Sequence, residues 1–215
     1  MSIRLVRKGM LIVVSSPSGG GKSSVIEALL RTDPLMEYSV SVTSRPPRQG
    51  EKDGVAYHFV SEAQFRKWID EGRFYEWAVV YDHLYGTRRD IIMEKLNRGR
   101  DVIMDLDFQG GLNIKRQSPD AVLVFLLPPA LDVLEKRLRA RGTDTEDVIR
   151  IRLSNVHEEM RHAMQYDYVL INDNLNETIE DVREIIKAER HRASRLELST
   201  GEEKSGTGGA DSGAT

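Results

Sequence analysis

The sequence contains no cysteine, which excludes disulfides, thiol catalysis and cysteine-ligated zinc, and fits a reducing cytoplasm. It also has no apolar run approaching the roughly 20 residues that span a bilayer, so no membrane partner is expected. Arg4, Arg7 and Lys8 precede the apolar run Met10–Val14, an arrangement similar to the start of a secretory signal. A signal, however, has a longer apolar stretch ending at a small-residue cleavage site, whereas this run enters a glycine-rich loop. An excess of one charge is missing too: 31 Lys and Arg stand against 34 Asp and Glu, a net charge of -3. That balance argues against a protein that coats nucleic acid, and no nucleic-acid partner is expected. The five histidines form no ligand pattern, because His157 and His162 miss the i, i+4 spacing that puts two ligands on one helix face. There is no internal repeat.

What remains is a 215-residue chain of ordinary composition, long enough for one domain with a buried core. Four short apolar runs, Met10–Val14, Asp101–Met104, Ala121–Leu127 and Tyr168–Ile171, lack polar alternation and read as strands buried on both faces. Helical patterns lie between them at Lys22–Arg31, at Ala130–Ala140 with Gly142 as its C-terminal stop, and at Asn176–Arg192. Thr143-Asp144-Thr145-Glu146 matches a capping box opening a long helix that runs to about Gln165. Such alternation predicts an α/β fold, a parallel sheet flanked by helices. Two segments interrupt it. Residues 37–87 carry short alternating strands, a turn-rich stretch and a small helix opened by Ser61-x-x-Gln64, and read as an inserted, mostly antiparallel subdomain. Residues 137–152 are rich in arginine. The expected division is a core of residues 1–36, 88–136 and 153–198, with a disordered tail over 199–215, where apolar residues almost vanish.

The first strand runs into Ser16-Pro17-Ser18-Gly19-Gly20-Gly21-Lys22-Ser23 and then a helix, the context a Walker A phosphate loop requires. Its glycines let successive N–H groups turn inward, and the helix dipole adds to the pull on a phosphate. Lys22 is placed to reach the β and γ phosphates of ATP, and the Ser23 hydroxyl to ligate Mg²⁺. Ser16 stands where the pattern has its first glycine. The fold class is therefore a P-loop NTPase-type α/β protein. A phosphate loop does not name the acceptor.

Ser41-Val42-Thr43-Ser44-Arg45-Pro46-Pro47-Arg48-Gln49-Gly50-Glu51 holds two arginines three residues apart, a spacing suited to bidentate capture of a phosphate monoester, or alternatively a solvated basic turn. Tyr57 and Tyr85 offer further hydroxyl donors. Glu76 lies in the mostly apolar run Phe74-Tyr75-Glu76-Trp77-Ala78, where a lone acid is costly to bury without a partner. Guanine supplies one, since its N1–H and 2-amine form a two-donor edge, whereas adenine would face the carboxylate with a lone pair. The alternative is an edge-strand acid facing water. Asp105 and Asp107 end an apolar strand; Asp105 suits a water-mediated Mg²⁺ contact and Asp107 the second nucleotide, and both also suit capping or turn roles.

With these motifs in order, the chain resembles the guanylate kinases over about Gly9 to Arg192: Ser-Pro-Ser-Gly-x-Gly-Lys, Thr-Ser-Arg-Pro-Pro-Arg-x-Gly-Glu, Glu-Trp-Ala, Tyr-Gly-Thr, Asp-Leu-Asp-Phe-Gln-Gly and Arg-Gly-Thr-Asp-Thr-Glu all recur. The resemblance implies a GMP-binding insertion, with phosphate binding by Arg45, Arg48, Tyr57 and Tyr85 and guanine recognition by Glu76, Asp107 and Ser41. Thr87 stands where many members carry serine. The arginine-rich stretch is then a lid in which Arg141 and Arg152 contact the transferred phosphoryl, while Arg137 and Arg139 read as a solvated helix face. Asn172-Asp173 would lie near the ATP base. The implied reaction is Mg²⁺-dependent in-line transfer from ATP to GMP or dGMP, with no covalent intermediate, in the cytoplasm. Two rivals remain: a kinase of the same build for another phosphorylated acceptor, which would leave Glu76 and Asp107 without partners, and a binding module, which would not need Lys22 and the lid arginines.

Overall fold

The computed structural model describes residues 2–80, 82–140 and 145–201. The chain opens with β1 (Ser2–Arg7) and enters the core through β2 (Leu11–Ser15), buried at every residue. The phosphate loop follows, then α1 (Lys22–Thr32) and β3 (Met36–Tyr38). The insertion comprises β4 (Val42–Thr43), β5 (His58–Phe59), α2 (Glu62–Asp70), β6 (Phe74–Val80) and β7 (His83–Arg88). The core resumes with α3 (Arg89–Asn97), β8 (Asp101–Asp105), α4 (Phe108–Gln117) and β9 (Val122–Leu127). It closes with α5 (Leu131–Ala140), α6 (Glu146–Arg161), β10 (Tyr168–Ile171), α7 (Leu175–Arg190) and β11 (Leu196–Gly201).

The central sheet has the order β10-β9-β2-β8-β3 and is parallel throughout. Alternate residues of each strand feed opposite cores, as the period-2 geometry of strands requires. Ile12, Val14, Ile103 and Val124 pack against Val25 and Leu29 of α1 and Val182 and Ile186 of α7. Leu11, Val13, Val102, Met104 and Phe125 pack on the other face against Ile92 of α3, Ile114 of α4 and Tyr166. Val14 of β2 pairs with Asp105 of β8, so the carboxyl ends of these strands lie side by side under the phosphate loop. Ligands of open α/β sheets bind at this edge. Among the described residues no helix is long and apolar enough to cross a membrane.

The insertion is a second sheet, β5-β4-β7-β6, with α2 against it. Its β4–β7 and β6–β7 pairs are antiparallel and its β4–β5 pair is parallel. Ser61 caps α2, its hydroxyl accepting from Gln64 N–H at 3.2 Å, as the sequence predicts.

Four boundaries differ from expectation. Met36–Tyr38 pairs with β8, so the core sheet extends two residues past 36. The long helix starts at Glu146 behind Thr145, which makes no side-chain cap bond, so Glu146 opens the helix instead of closing a capping box; Thr143 lies outside the described residues. That helix ends at Arg161, and a 3-10 turn covers Ala163–Gln165. Finally, β1 and β11 form an antiparallel ribbon in which Ser199, Thr200 and Gly201 pair with Arg4, Ile3 and Ser2. The expected tail therefore begins with three strand residues. The ribbon is tied to the core by fully buried Asp101, which Arg7 and Arg190 both engage, Arg190 at 2.7 Å.

Candidate active site

The phosphate loop is held open by its own backbone. Gly21 caps α1 at φ 90° with no side-chain cap, leaving the first-turn N–H groups and the helix dipole to an anion. A β-carbon on Gly21 would lie 2.2 Å from Nδ2 of Asn172, which donates to the Gly20 carbonyl at 2.7 Å. Asn172 is thus buried beneath the loop, bracing it, and its Oδ1 is buried without a hydrogen-bond partner. Arg137 holds Asn172 in turn, donating through both terminal nitrogens to its carbonyl at 3.1 Å. Arg137 is therefore no solvated helix residue, whereas Arg139 pairs with Glu135 and Glu146 on the surface. A cavity of about 340 Å³ lies between Gly19, Gly21, Ser24, Arg137, Asn172 and Leu175.

On the other side of the loop a cavity of about 270 Å³ is lined by Ser16, Pro17, Ser18, Gly19, Gly20, Gly21, Lys22 and Ser23, together with Asp105 and Glu159. The Lys22 ammonium lies 2.5 Å from Asp105 Oδ1 and donates to the Leu106 carbonyl at 3.0 Å. The Ser23 hydroxyl and the Asp105 carboxylate are hard oxygen donors in one cavity, which suits Mg²⁺. Among the described residues no cluster of three or more acidic or histidine side chains could hold a metal. The protein offers an oxygen pair instead of a cage, the arrangement Mg²⁺ accepts when phosphates and waters complete its shell.

Glu159 escaped sequence reasoning. It sits on α6, one heptad beyond Arg152, whose Nη1 donates to Ser18 Oγ at 2.7 Å. Residues seven apart share a helix face; once Arg152 is aimed at the loop, that spacing points to Glu159. Burial pushes its carboxyl up, the nearby Asp107 adds to this, and Lys22 and the Ser18 N–H oppose both. Arg141, the other expected lid contact, lies outside the described residues.

Of the residues expected on the acceptor side, Arg45 is only 8% exposed. Its Nη2 donates to both Glu51 oxygens at 2.8 and 3.0 Å, and its Nε to the Tyr85 hydroxyl at 3.2 Å. Its guanidinium carbon lies 5.6 Å from the Tyr57 ring centre and 5.8 Å from that of Phe59. The Glu51 bond raises the Arg45 pKa, and that same bond, with the Arg48 N–H at 2.7 Å, holds the Glu51 carboxyl low. Arg48 itself is exposed at the rim, so the two arginines are not equivalent. Ser41 lies half-buried before β4, its carbonyl accepting from His58 N–H at 2.8 Å.

Glu76 stands on β6 opposite Thr87 of β7, just past a bulge between Phe74 and Glu76. At this irregularity Tyr75 packs into the main core, while Glu76, the next residue, lies near Asp107. Asp107 caps α4, accepting from Gly110 N–H at 2.8 Å. A β-carbon on Gly110 would lie 3.2 Å from Glu76 Oε2 and 3.4 Å from Asp107 Oδ1, so the two carboxylates converge on that glycine. The capping reading of Asp107 thus holds, and the cap leaves its carboxylate close to Glu76. Burial raises the Glu76 pKa, Asp107 raises it further, and the Thr87 hydroxyl bond opposes them.

Fold and loop together define a P-loop nucleotide-binding protein. The family model for guanylate kinase matches residues 8–189. The chain is 44% identical over 186 residues to the guanylate kinase of Rickettsia felis, covering 86% of this chain and 97% of that one. It is 47% identical over 195 residues to that of Sphingopyxis alaskensis, covering 90% and 89%. The crystal structure of guanylate kinase from Anaplasma phagocytophilum superposes with a TM-score of 0.68 at 30% identity, covering 90% of this chain and 92% of that one. The chain belongs to the guanylate kinase family.

Proposed function

We propose that this protein transfers the γ-phosphoryl group of ATP to GMP or dGMP, giving ADP and GDP or dGDP, in the cytoplasm. The observation that carries the reading is the convergence of Glu76 and Asp107 on Gly110, together with a buried Arg45 held by Glu51 and Tyr85. Two carboxylates so close are mutually unfavourable until a ligand with two adjacent N–H donors bridges them, and guanine has such an edge.

The phosphate loop and Lys22 hold the ATP phosphates, and the cavity between Arg137 and Asn172 takes the base side. Arg45, Arg48, Tyr57 and Tyr85 hold the GMP phosphate; Glu76, Asp107, Ser41 and Thr87 read the guanine. Ser23 and, through water, Asp105 would hold Mg²⁺, which would neutralise charge on the transferred group. An acceptor phosphate oxygen attacks the γ-phosphorus in line as the bond to the β–γ bridging oxygen breaks. That acceptor is already an anion, so no general base is required, and positioning with charge stabilisation supplies most of the rate. Arg152 already reaches Ser18 of the loop, and with Arg141 it would neutralise charge on the moving phosphoryl. Closure of the lid excludes water, which protects ATP from hydrolysis.

The test is a coupled ADP-release assay with Mg-ATP and, in turn, GMP, dGMP, AMP, CMP, UMP and dTMP. Turnover confined to the two guanine nucleotides is expected. Comparable turnover of another monophosphate would overturn the base reading, and none with any would overturn the reaction.

A further inference from the structure

The Asp105-Leu106-Asp107 segment serves both halves of the site, which raises the question of what fixes it. A chain of buried hydroxyls runs to it from the far side of the lid helix. Tyr166, just beyond α6 and only 8% exposed, donates to Ser15 Oγ at 2.8 Å, with the Phe108 carbonyl at 3.3 Å as its alternative. Ser15, fully buried at the end of β2, passes its one proton to the Leu106 carbonyl at 2.9 Å. The same carbonyl accepts from Lys22 at 3.0 Å. Both lone pairs of Leu106 are therefore taken, which pins the peptide lying between the two aspartates. The fit is close, since a β-carbon on Gly111 would lie 2.1 Å from the Tyr166 oxygen. The Tyr166 ring is fixed edge-on by Phe125 at 5.0 Å between centres. Burial pushes its hydroxyl up to about 12, so it remains a donor at working pH. Tyr166 and Ser15 line neither cavity at the phosphate loop; the chain they form ends on the acidic segment.

We propose that Tyr166 is a positioning residue of the reaction, acting through Ser15, whose hydroxyl reaches the Leu106 and Asp107 carbonyls at 2.9 and 3.3 Å, to hold Asp107 against the acceptor base. This rests on the guanine-recognition reading for Asp107. Tyr166 ends the 3-10 turn that follows the helix carrying Arg152 and Glu159. Loss of the Tyr166 hydroxyl would leave Ser15 Oγ buried with an empty acceptor site and loosen the Leu106 peptide.

The experiment compares Tyr166→Phe, Ser15→Ala and the double variant, measuring kcat and KM separately for GMP and ATP alongside the melting temperature. Each single change is expected to lower kcat/KM for GMP roughly 3- to 10-fold, the rate equivalent of losing one buried hydrogen bond. The ATP KM should stay within about twofold of the parent, and the double variant should lose little more than the worse single. Multiplicative losses, equal losses for both substrates, or parent kinetics in a folded Tyr166→Phe would each overturn the proposal, whatever the melting temperature does. Should Tyr166→Phe not fold, Ser15→Ala with parent GMP kinetics would overturn it alone. Discrimination between GMP and IMP, which lacks the 2-amine, gives a further readout: Tyr166→Phe should lower the GMP/IMP ratio in the same direction as Asp107→Asn. A neutral Asp107→Asn would defeat the guanine role of Asp107, while the Tyr166–Ser15 coupling would still be decided by its own cycle.

Discussion

Glu76→Gln separates recognition of the base from everything else the site does. The carboxylate sits opposite Thr87 and within the field of Asp107. Facing guanine, it accepts two N–H donors. The amide keeps one acceptor and turns an NH₂ toward the other donor, so one charge-assisted bond is lost and two donors are opposed. That costs about 2–4 kcal/mol, or roughly 30- to 1,000-fold in kcat/KM for GMP. The ATP side has no contact with the change, so the ATP KM should move less than about twofold. Stability should move the opposite way. A carboxyl whose pKa is raised by folding favours its protonated form in the native state. Its contribution is fully present below the ordinary glutamate value and is lost as pH rises through the raised one. At neutral pH the ionised Glu76 is thus a liability, and Glu76→Gln should melt no lower than the parent, with any advantage vanishing near pH 4. In the parent, kcat/KM for GMP should fall on the acid side at a pH above the ordinary carboxylate range, and that limb should disappear in the variant. Steady-state ADP release and melting scans measure all of this. Equal losses toward GMP and ATP, or a loss tracking a lower melting temperature, would refute the reasoning.

Arg45→Lys keeps the charge but removes the fork that holds Glu51 and Tyr85, and is expected to raise the GMP KM about 10- to 100-fold with ATP KM unchanged, read by initial rates. Gly21→Ala puts a side chain at φ 90° and 2.2 Å from Asn172, and should abolish ATP binding in equilibrium titration while costing at least about 1 kcal/mol of stability. Arg137→Ala frees the Asn172 carbonyl under the loop and is expected to raise the ATP KM about tenfold, the value of a charged hydrogen bond, while leaving the GMP KM in place; no change would remove Arg137 from the loop's support.

The parts of this site that were legible in sequence are those whose chemistry is carried by neighbours in the chain. Gly21-Lys22-Ser23 after an apolar strand needs no long-range knowledge to be read as a phosphate loop, and the parallel sheet follows from strands without polar alternation. Local spacing does not separate Arg45 from Arg48: Glu51 binds the buried Arg45 guanidinium and takes only the backbone N–H of Arg48, whose side chain is exposed at the rim. Likewise Arg137 looks like a solvated helix residue until the carbonyl of Asn172, from beyond β10, arrives beside it. The β1–β11 ribbon pairs the two ends of the described chain, so nothing local to Arg4 and Arg7 announces their strand partner, and the low-apolar tail hid three strand residues. Glu159 and Tyr166 are further cases of the same kind, because each acts on a segment that the fold, not the chain, brings near. The Glu76–Asp107 pair lies between these extremes. Each acid was marked by its apolar surroundings, but their meeting at Gly110 depends on a bulge in β6 and a helix cap on α4, two backbone events that no single motif encodes. A site assembled this way is most sensitive to substitutions that move backbone, which is why the hydroxyl chain beneath Leu106 is expected to affect GMP as the carboxylates themselves do.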